Sequence, residues 1–140
     1  MRGRFEDDFD FGKANIKGLR LATDYEDRKQ GIDYWLDNIP LAWRKRDFSI
    51  NKYREISVRY ARFSGFETEH SKLMSDKIKA LYYVTEFSDA YVIHRVSDIK
   101  NYFQNTPENK LTLIPNLDNE TEGCYIPIDS LPHVIIKRGG

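Results

Sequence analysis

The chain has 140 residues, 22 of them basic and 22 acidic, so net charge alone points to neither a nucleic acid nor a membrane surface. That length suits a single domain over 1–140 with a core of its own, and the lone Cys124, which reads as a buried thiol, excludes an internal disulfide and a cysteine-built zinc cluster. No apolar run approaches the ~20 residues of a membrane span, and the start MRGRFEDDFDF lacks a secretory apolar core, which predicts a cytoplasmic protein with no membrane partner.

In chain order, residues 5–19 (FEDDFDFGKANIKGL) suit a short helix weakened by Gly12 and Gly18. The pattern sharpens at GIDYWL (31–36), a β-branched and aromatic strand. A turn at Asp37-Asn38 and a second alternating strand, IPLAWRKRDF (39–48), complete a hairpin. EISVRYARF (55–63) predicts a third strand, with Ile56, Val58 and Tyr60 on one face and Ser57, Arg59 and Ala61 on the other. A helix follows within 64–81, with Thr68 as its cap. ALYYVTEFSDAYVIHRV (80–96) reads as two strands joined at Ser88-Asp89, and SDIKNYFQN (97–105) as a short helix capped by Ser97 or Asp98. KLTLIP, CYIPI and HVIIKR supply further short strands. The order predicts an α/β or α+β fold, a mixed sheet with a central β-hairpin and a helix packed on one face.

Charge is unevenly spread. Seven Lys and Arg residues lie between Arg44 and Arg62 against two acids, while 6–10 and 118–129 hold four acids each. The basic middle is either an electrostatic footprint for nucleic acid or a solvated, ion-paired face. Trp35 and Trp43, on adjacent strands, suit a cross-strand core pair. His70, His94 and His133 follow no ligand spacing and read as structural residues.

The segment 31–46, an aspartate at a strand, a short turn and a second strand rich in cations, resembles the core of the PD-(D/E)XK nucleases. The lead-in TDYEDRKQGIDYWL looks like the aspartate-bearing region of their phage-type members. The resemblance implies a restriction-endonuclease-like core and Mg²⁺-dependent hydrolysis of nucleic-acid phosphodiesters. Carboxylates would hold the metal, and a lysine would help to place the attacking water. Asp33 matches the metal-binding aspartate. Ala42 stands where the second acid belongs and cannot ligate a metal. Arg44 stands at the lysine position, where it would clamp phosphate but accept no proton.

A second carboxylate must then come from outside the hairpin. Glu69, at the start of the 64–81 helix with Lys72 three residues on, and Glu55, before the third strand, are the candidates, and Asp24 and Asp27 lie in the lead-in. The implied metal ligands are thus Asp33 with Glu69 or Glu55, and the implied catalytic set is Asp33, Arg44, Glu69 and Lys72. Arg44, Arg46, Arg54, Arg59 and Arg62 would contact DNA or RNA. Two alternatives stand beside this. Asp33 is an ordinary acid paired with Arg44 across the hairpin, or the chain is a catalytically inactive relative that binds nucleic acid or a protein partner through the basic face.

Overall fold

The computed structural model describes residues 19–62, 64, 67–117 and 120–138. The helix expected over 5–19 lies outside the described residues, apart from Leu19, which is in a strand. The fold is mixed α+β. A six-stranded mixed sheet runs in the order β1 (Leu19–Leu21), β2 (Tyr34–Leu36), β3 (Ile39–Lys45), β5 (Tyr82–Glu86), β6 (Ala90–Arg95) and β9 (Ile135–Arg138). Its neighbours are antiparallel except β3 and β5, which run parallel with Ala42 beside Tyr83. A second sheet, β4 (Glu55–Arg62), β8 (Thr121–Pro127) and β7 (Thr112–Pro115), is antiparallel throughout.

Period-2 alternation gives the large sheet two buried faces. Ala42, Tyr83 and Val92 join the main core with Ile56, Val58 and Ile126 of the small sheet. Leu41, Val84, Tyr91 and Ile93 form a second cluster on the opposite face. Helix α4 (Val96–Asn105) buries Ile99 and Phe103 in the main core. No helix among the described residues is long and apolar enough to cross a membrane.

The hairpin forms as expected, with its turn at Asp37-Asn38, where Asp37 accepts a positive φ of 55°. Four expectations are corrected. The third strand, β4, leaves the hairpin sheet and pairs with β8. Trp35 packs toward the main core and Trp43 toward the smaller cluster, so the two tryptophans lie on opposite faces rather than together. The lead-in is a helix, α1 (Asp24–Gln30), because Thr23 and Glu26 close a reciprocal capping box and Gly31, at φ 65°, ends it. Finally, α4 starts directly from β6 with Arg95 at its N-cap, so Ser97 and Asp98 fall inside its first turn.

Between β3 and β4 runs a one-turn helix, α2 (Ile50–Tyr53). Helix α3 (Glu69–Met74) is capped by Thr68, as the sequence suggests. It is shorter than expected because Ser75 donates back to the Ser71 carbonyl (2.8 Å) and Asp76 turns into the left-handed region.

Candidate functional site

Strand β2 has three residues and β3 has seven, so the far end of β3 runs on without its hairpin partner. The chain leaves the hairpin at Asp33 toward α1, and the Asp33 side chain covers part of the gap. Its Oδ2 accepts the Trp43 backbone N–H at 2.8 Å. A cavity of about 430 Å³ opens there, walled by Asp27 of α1, Asp33, Arg44 of β3, Tyr83 of β5, and Glu69 and Lys72 of α3.

Two charge systems face each other across it. On one side Asp33 is pushed up to about 7. Burial is the main cause, and the hydrogen-bonded Asp27 carboxylate and the charge of Glu69 add to it against the opposing Trp43 N–H. On the other side Arg44 is ion-paired with Glu69, and its Nε donates to the Tyr83 hydroxyl at 3.0 Å. Tyr83 donates onward to the Ser57 carbonyl (2.7 Å), which ties the two sheets together. The Tyr83 oxygen and then Glu69 hold Arg44 above its ordinary value despite burial, and burial raises the Tyr83 phenol. Glu69 Oε1 also accepts the Arg59 backbone N–H at 2.8 Å, next to a register shift between Arg59 and Ala61. Such bulges commonly re-aim strand groups beside sites.

Of the residues singled out by sequence, Asp33, Arg44, Glu69 and Lys72 therefore meet in one cavity. Ala42, where the resemblance implies an acid, sits beside Tyr83, and the Tyr83 hydroxyl and Glu69 lie where Arg44 can reach both. Lys72 Nζ donates to the Arg28 carbonyl at 2.9 Å, bridging α3 to α1. Glu55 pairs with Pro127 and lines no part of this cavity. Arg54 makes a two-pronged pair with Asp129 (2.8 and 3.2 Å), and Arg62 donates to the Glu67 carbonyl (3.1 Å); neither lines the cavity. Asp24 is engaged with Arg28 on the surface.

His70 packs against Tyr60 and Phe103 with ring centroids at 4.3 and 4.6 Å, and His94 is fully buried. Neither lines the cavity, and burial lowers both. Cys124 is buried too. Sequence reasoning left Asp27 at the margin and missed Tyr83 and Lys45, which also line the cavity. The Thr23–Glu26 capping signal was there to place Asp27 on a helix; nothing local marks Tyr83.

An all-oxygen donor set suits a hard cation such as Mg²⁺, which commonly binds one or two carboxylates and keeps several waters. Asp27 and Asp33, hydrogen-bonded to each other on the cavity wall, meet that description. Among the described residues, no group of three or more His, Cys, Asp or Glu side chains is placed to hold a metal ion. No family model, curated protein or solved structure matches the chain.

Proposed function

We propose that the chain is a small Mg²⁺-dependent phosphodiesterase acting on nucleic acid, on a core of restriction-endonuclease type. The observation that carries this reading is the convergence of Asp33, Arg44, Glu69 and Lys72, from three separate elements, on one cavity. Asp33 and Asp27 would hold the ion. Glu69 serves better as an anchor than as a ligand, since Arg44 and the Arg59 N–H both engage its Oε1. When bound, the ion supplies Lewis acidity, drawing charge from a phosphoryl oxygen and making water a stronger acid.

The chain's own groups do the rest. Glu69 and Tyr83 fix the Arg44 guanidinium, which offers its remaining N–H donors to the phosphoryl oxygens as negative charge builds on them. Lys72, held against α1 through Arg28, places a second cation on the cavity wall. Water adds across a P–O bond, and the departing oxygen leaves with a proton.

The test is calorimetry with Mg²⁺ or Mn²⁺, run beside cleavage assays on labelled single- and double-stranded DNA and RNA. Metal should bind, and Asp33→Asn should reduce cleavage by orders of magnitude, at least ~3 kcal/mol of transition-state stabilisation, with nucleic-acid binding largely kept. A protein that neither binds metal nor cleaves ends this reading. One observation favours a second: the ion pair that occupies Glu69 leaves only two acids for a metal. In that case the chain is a non-catalytic relative that binds nucleic acid or a protein partner through Arg44, Arg46 and Arg59.

A further inference from the structure

Next to the carboxylate cavity lies a smaller one of about 250 Å³, where the end of β3 meets the face of β4 and β8 that carries Arg59, Gly123 and Tyr125. Arg44, Lys45, Arg46 and Arg59 line it, and among the described residues its lining includes no carboxylate. In a chain of zero net charge that is a concentrated positive site. Arg46 is held in place by aromatic rings, with its guanidinium carbon 4.7 Å from the Phe48 centroid and 5.5 Å from that of Tyr125. Arg46 Nη1 and Arg59 Nε are both buried and find no hydrogen-bond partner among the described residues. A buried donor on a charged group left unpaired costs more than the ~1–3 kcal/mol of a neutral one, so such nitrogens call for an acceptor.

Gly123 keeps the space open. A Cβ there would press on Tyr125, 3.3 Å from its Cε2, and touch Asn116 Oδ1 at 3.4 Å, both residues of the lining. The two cavities share Arg44, Lys45, Val58 and Arg59, so they adjoin.

We propose that the Arg46–Arg59 cavity is a phosphate subsite that takes the phosphate neighbouring the one cleaved. Its donors are forked guanidinium groups, whose geometry matches phosphate oxygens. A polynucleotide strand carries the repeating anion that adjoining cavities require. The substrate is therefore an oligonucleotide strand and not an isolated phosphodiester, an assignment that rests on the phosphodiesterase reading of the first cavity.

The test has two arms. In the first, inorganic phosphate is titrated into metal-free protein and the arginine Nε–H resonances are followed by ¹H–¹⁵N NMR. The Arg46 and Arg59 signals should shift saturably. The response should be lost in Arg46→Gln and Gly123→Val and kept in Lys110→Gln. In the second arm, Arg46→Gln should raise KM about tenfold for an oligonucleotide, the scale of one charge-assisted contact, with little change in kcat. The salt slope of oligonucleotide binding should flatten by about one. Hydrolysis of bis(p-nitrophenyl) phosphate, which has a single phosphate, should not respond. Cleavage with silent Arg46 and Arg59 resonances overturns the subsite and leaves the phosphodiesterase reading standing. Phosphate bound at both arginines in a protein that cleaves nothing leaves an anion site there but removes the phosphodiesterase reading, and with it the assignment to a cleaved strand.

Discussion

Asp33 is where one residue's chemistry reaches furthest. Its carboxyl rises from an ordinary 3.8 to about 7, chiefly through burial. In metal-free protein the folded state therefore keeps a proton that the unfolded chain releases near pH 4. The stability tied to this group is complete below that pH and is lost as the pH rises to about 7, by at most ~4 kcal/mol. Asp33→Asn keeps an acceptor for the Trp43 N–H and removes the titration. Urea melts in EDTA between pH 4.5 and 7.5 should thus slope for the native chain and flatten for Asp33→Asn; an unchanged slope would assign the titration elsewhere. At this scale much of the site is legible in the sequence. Strict alternation from Ile39 places Ala42 and Arg44 on one face, and under the nuclease resemblance Ala42 implies that an acid comes from elsewhere. Tyr83 is not legible, because its role comes from the parallel register of β5 on β3, and no local pattern encodes that.

Among the elements, α1 matters most for so short a helix. It presents Asp27 to Asp33, and its two ends are fixed by Thr23 and Gly31. Thr23→Ala removes the side-chain half of the capping box and should cost about 1 kcal/mol. Gly31→Ala should cost at least as much, since a Cβ in the left-handed region would also meet Ile78 Cγ1 at 3.1 Å. Both should bring the Asp33 carboxyl titration, followed by ¹³C NMR, down toward its ordinary value as Asp27 loosens. A midpoint that stays near 7 in both variants would mean that α1 does not hold Asp27 in place. The helix hides from a reading centred on the hairpin because TDYEDRKQG is brief and mostly charged, with no buried residue to give it an apolar stripe.

For the molecule as a whole, the two sheets share one core. Ile56 and Ile126, register partners in the small sheet, are fully buried in the cluster that contains Ala42 and Tyr83 of the large one. Ile126→Ala should cost about 2–5 kcal/mol. Circular dichroism and the fluorescence of Trp35 and Trp43, which sit in or beside the large sheet, should still report a single coincident transition. Two separate transitions would show the sheets unfolding independently. The division into two sheets was beyond the sequence: β4 pairs with β8 across all of residues 63–120, and a strand's alternation names its faces but not its partner. Glu69 sits on that division, accepting the Arg44 side chain from one sheet and the Arg59 amide from the other. A ligand that draws Arg44 toward itself must therefore be felt by a backbone proton on the opposite sheet. The hydrogen-exchange rate of the Arg59 amide becomes a built-in gauge of occupancy, readable without a label or a turnover assay.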